Sequence, residues 1–174
     1  HITSISRIDQ NEFVWIDKFT IRNLELFSSN GAQGKSGFAD VIDRTLTSMG
    51  GRLLKRWIAM PLVDVERISR RQDVVEILSK DADLAEALRE QISAIGDLER
   101  MSSRIAAGRI LPRELVQLKN SLTAVENLKA LLESTDHERL HEIAAHIDPI
   151  TALRDKLAHE IYPDPSNNQI QKGG

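Results

Sequence analysis

The sequence contains one short segment with the composition of a phosphate-binding loop. Gly34, Lys35 and Ser36 follow a candidate strand, Leu24 to Phe27, and precede a helical pattern, as they would in such a loop. The full pattern is GxxxxGK[ST], because several backbone N–H groups must wrap the phosphates. Ser29 occupies the position of the first glycine, and no later apolar strand ends in an aspartate that could hold magnesium. We therefore interpret the segment as a flexible loop.

A second motif has the pattern of a zinc site. His137, Glu138 and His141 form HExxH, which on a helix places two imidazoles one turn apart with a carboxylate beside them as a base. Glu160 could supply a third ligand. The preceding residues are polar, however, and Pro149 interrupts the helix before Glu160. The motif therefore indicates a solvated helix face, and a zinc hydrolase is kept as an alternative function.

Basic residues are concentrated in two segments of the chain. A nucleic-acid-binding surface is one interpretation of them. The net charge of −3 favours a solvated face whose cations pair with nearby carboxylates such as Asp64, Glu66 and Asp73. We therefore expect weak or no DNA binding by this chain alone. The two sets are Arg52, Lys55, Arg56, Arg67, Arg70 and Arg71, and Arg100, Arg104, Arg109 and Arg113.

The composition predicts a water-soluble, mostly α-helical domain. Of the 174 residues, 41% are hydrophobic and only 4% are aromatic, so the apolar content is mainly Leu, Ile, Ala and Val. The sequence has no cysteines, which excludes disulfides and thiolate metal sites. No apolar run approaches the ~20 residues of a membrane span, and no secretory leader is recognisable. We expect a cytoplasmic protein that does not associate with membranes.

The periodicity predicts a bundle of about seven helices, with a small strand or hairpin region at residues 1–27. Residues 28–36 form a loop, 37–161 the helical core, and 162–174 an exit segment. Within the first region, Phe19 to Leu26 could instead be a short helix. The helical patterns fall at about 37–45, 48–60, 64–80, 82–95, 97–107 and 112–133, with further helices starting at Asp136 and Asp148.

The segment Asp43 to Leu62 is predicted to organise the fold. Its apolar residues have the i, i+3, i+4 spacing of a helix with one buried stripe, and Trp57 lies at the centre of that stripe. We expect the other helices to pack around it, so Trp57→Ala should cost about 3–5 kcal/mol. The longest helix, 112–133, has a nearly heptad stripe that predicts packing along a long neighbour.

Three blocks of the sequence resemble one protein family. FTIRNLELF (Phe19 to Phe27), DRTLTSMGGRLLKRWIAMPL (Asp43 to Leu62) and IGDLERMSSRIAAGRILPREL (Ile95 to Leu115) resemble the core, or lever, domain of the MutS DNA mismatch repair proteins. The blocks keep the family's order and approximate spacing. The resemblance extends from about Ile2 to Gly174.

The resemblance implies a role within a larger protein. Members of this family form homodimers that close around DNA, and their core connects a connector domain, a DNA-gripping clamp and an ATPase that uses ATP and Mg²⁺. This chain would be the first part of the core, cut before the clamp, without an active site or cofactor of its own. It would transmit ATP-driven conformational change between the clamp and the ATPase.

Two sets of residues follow from this implied role. Residues of the predicted helix at 48–60, and the proline after it, would form a structural hub. The apolar stripes of later helices would form a lever. The hub set is Met49, Gly50, Arg52, Leu53, Leu54, Trp57 and Pro61, and the lever set is Leu98, Met101, Ile105, Leu115, Leu118, Leu122 and Val125. A helical protein-interaction module unrelated to repair is kept as a further alternative.

Overall fold

The computed structural model describes residues 12–28 and 36–161, and within them the chain is α-helical. Nine helices and no β-strand occur in the described residues, which confirms the predicted all-α class. The helices are α1 (Lys18–Asn23), α2 (Phe38–Ile42), α3 (Ser48–Ala59), α4 (Val65–Lys80), α5 (Ala82–Ala94), α6 (Leu98–Ala106), α7 (Pro112–Glu133), α8 (Glu138–Ala145) and α9 (Thr151–Glu160).

The predicted N-terminal hairpin is wrong for the part that the structure describes. Residues 18–23 form α1, because the Asp17 carboxylate accepts hydrogen bonds from the backbone N–H groups of Phe19 and Thr20, at 2.8 and 3.0 Å, and so caps a helix. The candidate strand 24–27 is a turn in which Glu25 has a φ of 49°. Residues 1–11, which carry the rest of the predicted hairpin, lie outside the described residues.

The chain divides into two compact units. The first contains the described residues up to Thr45 together with Gly50–Asp73. Its N-terminal segment is tied to the segment after α3 by an isolated antiparallel bridge between Phe13 and Leu62, where the Val14 N–H donates to the Pro61 carbonyl at 2.8 Å. The second unit contains Leu46–Met49 and the described residues from Val74 onward.

The core of the second unit is built along α7. One group of apolar side chains, cluster A, surrounds its C-terminal half, and another, cluster B, surrounds its N-terminal half. Cluster A contains Leu88, Leu132, Leu140 and Ala144, with Val74, Ile77, Leu78, Leu84, Leu128, Leu131 and Ile147 packed against them. Cluster B contains Met101, Leu118, Leu122 and Leu157, with Leu98, Ile110, Leu115 and Ile161 packed against them.

Helix α7 is therefore the element around which this unit is organised. Helices α5, α8, α9 and α6 all pack against it. Among the described residues, no helix is long and apolar enough to cross a membrane.

Candidate functional site

The predicted lever is centred on α7. This helix begins where the sequence signals place its start. Pro112 is the first helical residue, and the Glu114 side chain accepts a hydrogen bond from the Leu111 N–H at 2.9 Å, which caps the N-terminus. The helix has 22 residues and at ~1.5 Å per residue is about 33 Å long. A rod of this length can connect distant parts of a protein.

The predicted lever residues occupy different environments in the second unit. Met101, Leu118 and Leu122 are buried in cluster B, at 4%, 7% and 3% exposure. Leu98 and Leu115 pack against the same cluster, and Val125 is half-buried on α7. Ile105, on the last turn of α6, is 43% exposed and so contributes less to this core. Their role in transmission stays a prediction.

Polar side chains also tie α9 and the α8–α9 connection to α7. Arg154 on α9 forms an ion pair with Glu126 on α7, and the Lys129 Nζ donates to the Ile147 carbonyl at 2.9 Å. Hydrogen bonding to the Asp155 carboxylate, and then attraction to Asp155 and Glu126, raises the pKa of the Arg154 guanidinium. These ties could not be predicted from the sequence, because its local pattern does not show which charged residues face each other.

A buried hydroxyl, that of Ser121, lies in the middle of α7 and is not among the predicted site residues. Its side chain is fully buried, and it hydrogen-bonds to the Gln117 carbonyl at 2.8 Å. One sequence signal was available: Ser121 lies three residues after Leu118 and next to Leu122, so it falls on the apolar face of the helix.

The predicted hub helix α3 is not buried in this chain. None of its residues is buried, and Leu53 and Trp57 are 47% and 41% exposed. The expectation that other helices pack around Trp57 is therefore wrong here. Apart from α3, the first unit contains α1 and α2, of six and five residues, and the first part of α4, and most of their large apolar side chains are exposed as well. Of the remaining hub residues, Arg52 is exposed and Met49, Gly50, Leu54 and Pro61 are half-buried.

The Trp57 ring is covered on one side by a cation. The Arg71 guanidinium lies 3.5 Å from the centre of the ring, in cation–π geometry. Burial of this guanidinium, and then repulsion by Arg67, lowers the pKa of Arg71. At the start of the helix, a β-carbon on Gly51 would lie 3.3 Å from the Thr45 Oγ1, so glycine permits the close approach of the preceding turn.

Two basic side chains of the first unit make the ion pairs typical of a solvated face. Arg70 pairs with Glu66 at 2.5 Å, as predicted, and Arg67 pairs with Glu12 at 3.2 Å. Asp64 instead caps α4, accepting from the N–H groups of Glu66 and Arg67 at 2.9 and 3.2 Å.

In the second basic set, an arginine links α6 to the start of α7. Arg104 forms an ion pair with Glu114 at 3.1 Å, and its Nη2 donates to the Arg109 carbonyl at 3.1 Å. Arg104 thus has a structural partner on the next helix.

The HExxH residues do not have the helical arrangement that the alternative zinc site would require. His137 has an extended backbone and precedes α8, which begins at Glu138, so the two histidines are not on one helix. The His141 Nε2 donates to the Thr135 carbonyl. Over residues 12–28 and 36–161, no group of three His, Cys, Asp or Glu side chains is arranged to hold a metal ion.

Most of the phosphate-loop motif lies outside the part of the chain that the structure describes. Gly34 and Lys35 lie outside the described residues, and Ser36 is exposed just before α2. Since the sequence also lacks the first glycine of the motif, we derive no nucleotide-binding step from this segment.

Comparison with known proteins identifies the family. The family described as MutS domain III matches residues 19–173. The chain is 45% identical over all 174 residues to the DNA mismatch repair protein MutS of Bacteroides thetaiotaomicron, 44% to that of Phocaeicola vulgatus and 45% to that of Christiangramia forsetii. This chain belongs to the MutS family. It corresponds to MutS domain III, so an unrelated helical interaction module is no longer a candidate.

The match covers only part of each relative. The chain spans about a fifth, 20%, of the length of these MutS proteins. The family resemblance seen in the sequence, including its assignment to the core or lever region, is confirmed.

Proposed function

We propose that this chain is the coupling module of a DNA mismatch repair protein. In that longer protein it links the DNA-gripping clamp to the ATPase domain and transmits the conformational change that follows ATP binding. The match to MutS domain III and to proteins named DNA mismatch repair protein MutS supports the proposal. The implied partners are the connector, the clamp and the ATPase of the same chain, DNA, and a second subunit in a homodimer. ATP and Mg²⁺ act in the ATPase domain.

The observation that carries this proposal is the construction of the second unit around α7. Clusters A and B lie along the two halves of one uninterrupted 22-residue helix. The helix has an apolar core at each half, and Glu126 and Lys129 are tied to α9 and to the α8–α9 connection, so bending of the helix is resisted. Coupling over several nanometres requires a rigid element of this kind, with discrete packed arrangements at its ends.

The exposed apolar side chains of the first unit support the proposal that other domains pack there. Large apolar side chains that lie together on the surface of a folded protein usually mark an interaction surface. Trp15 and Phe19 are 75% and 73% exposed, and Leu53 and Trp57 of α3 are also accessible. We propose that the hub residues on α3 contact the rest of the longer chain. The further exposed apolar residues of this unit include Val14, Leu24, Phe38, Val41, Ile42, Val63 and Val65.

The proposal can be tested by destabilising α7 with substitutions that leave the core contacts in place. Asn120 and Thr123 lie on the exposed face of α7, and replacing each by glycine costs about 0.3–0.5 kcal/mol of helix stability. In a full-length MutS carrying this domain, the double variant should still bind a mismatch without nucleotide and hydrolyse ATP without DNA. The addition of ATP should release the double variant from mismatched DNA less effectively than it releases the wild-type protein. The matched control is Glu90→Gly with Ser93→Gly, at the same spacing on the exposed face of α5.

The decisive quantity is the ratio of mismatch-DNA affinities with and without ATP. A reduced ratio in the α7 variant, with the α5 control near wild type, supports transmission through α7. An unchanged ratio in a variant whose α7 amides exchange faster with solvent would refute the proposal.

A further inference from the structure

The buried hydroxyl of Ser121 fixes the turn between α5 and α6 onto the lever helix. Its Oγ donates to the Gln117 carbonyl at 2.8 Å and accepts a hydrogen bond from the Gly96 N–H at 2.9 Å. The side chain is 0% exposed, so no solvent molecule can replace it as the acceptor for Gly96 without rearrangement. The position of the turn therefore depends on the position of α7.

The next residue of the turn, Asp97, connects it to the first residue of α3. One carboxylate oxygen of Asp97 caps α6 by accepting from the Arg100 N–H at 3.1 Å. The other accepts from the Ser48 hydroxyl at 3.3 Å, a long and therefore weak hydrogen bond. Ser48 is the residue at which α3 begins.

A cavity lies beside this contact, so the start of α3 is not held there by close apolar packing. It has a volume of about 490 Å³. Its lining includes Thr47, Ser48, Gly96, Asp97, Arg100 and Gln117. A polar link beside a cavity can form and break at low cost, in contrast to interlocked side chains.

We propose that Ser121, the α5–α6 turn and Asp97 form a positioning link between the lever and the first turn of the hub helix. Movement of α7 displaces the turn through the Ser121–Gly96 hydrogen bond. Asp97 then displaces Ser48 and the start of α3. The use of this link in transmission rests on the proposed coupling function, whereas the link itself is a property of this chain.

The test measures amide hydrogen exchange in this chain without DNA or ATP. Ser121→Ala removes the acceptor for Gly96, so the Gly96 amide should exchange about tenfold faster. The amides of Arg52 and Leu53 should exchange about two- to threefold faster. In an α-helix these N–H groups donate to the carbonyls of Ser48 and Met49, so they report on the first turn of α3. The control is Thr123→Ala on the same helix. The exposed Thr123 hydroxyl also donates to the carbonyl four residues earlier, that of Lys119. This variant should change exchange neither at Gly96 nor at the start of α3.

A second variant tests the link from its other end. Alanine is a better helix former than serine, so Ser48→Ala should slow exchange at the start of α3 if the Asp97 contact is unimportant. The positioning link predicts faster exchange there. It also predicts that Ser121→Ala has no additional effect on the α3 amides once Ser48 is alanine, because both changes break one path.

The possible results separate this inference from the proposed function. Additive effects of Ser121→Ala and Ser48→Ala on the α3 amides, or no effect of Ser121→Ala beyond Gly96, would overturn the positioning link and leave the coupling function standing. Non-additive effects on the α3 amides, together with an unchanged response to ATP in the α7 glycine variant, would support the link and refute its role in transmission.

Discussion

Leu140→Ala is the substitution that should most directly weaken the core of the second unit. Leu140 lies on α8 and is 1% exposed, in contact with cluster A around the C-terminal half of α7. Alanine removes three carbons from the side chain, which costs about 2.4 kcal/mol at ~0.8 kcal/mol per buried carbon. A residual cavity of ~50 Å³ adds about 1.2 kcal/mol. The expected loss of unfolding free energy is therefore about 3–4 kcal/mol.

The assay is urea unfolding followed by far-ultraviolet circular dichroism, with the urea dependence compared between variants. The loss should appear as a lower midpoint with an unchanged slope, and the melting temperature should fall by about 7–14 °C. Ile143→Ala is the matched control, since Ile143 lies on the same helix and is 39% exposed. It should lose less than about 1.5 kcal/mol. Equal losses in the two variants would refute the assignment of Leu140 to the core.

Three further predictions concern single residues. Trp57→Ala should cost only about 1–2 kcal/mol in urea unfolding, because the ring is 41% exposed and partly covered by Arg71; a loss above about 3 kcal/mol would mean that the ring is buried. Ile150→Gly should be more stable than Ile150→Ala by about 0.5–1 kcal/mol, because both variants lose the isoleucine side chain, which is 48% exposed, but the native φ of 48° strains only alanine; a less stable glycine variant would contradict this backbone assignment. Hydrogen bonds from Thr20 lower the pKa of Asp17, so the stability that Asp17 provides is present above pH ~4 and is lost as the pH falls through its folded-state pKa. The destabilisation by Asp17→Ala should therefore be larger at pH 7 than at pH 3, and a pH-independent difference would contradict the cap.

The positions of most helices could be predicted from the sequence because their signals are local. Asp97 and Pro112 mark the starts of α6 and α7, and Gly108 adopts the left-handed conformation, with a φ of 65°, just after α6. The error lay in residues 24–27, where β-branched and aromatic residues nearby suggested a strand. Among the described residues no strand is available to pair with that segment, and the Asp17 cap favours α1 instead.

The sequence by itself determined the helical class, the family and the extent of α7, since periodicity, caps and matched blocks depend only on neighbouring residues. Tertiary structure decided which apolar stripes are buried. The stripes of α3 and α7 both predict a buried face, yet Trp57 remains exposed and Leu122 lies in a core. It also placed the hydroxyl of Ser121 against the Gly96 N–H. The physical reason is that burial and hydrogen bonding across helices depend on the partner surface, which a helix's own pattern does not specify.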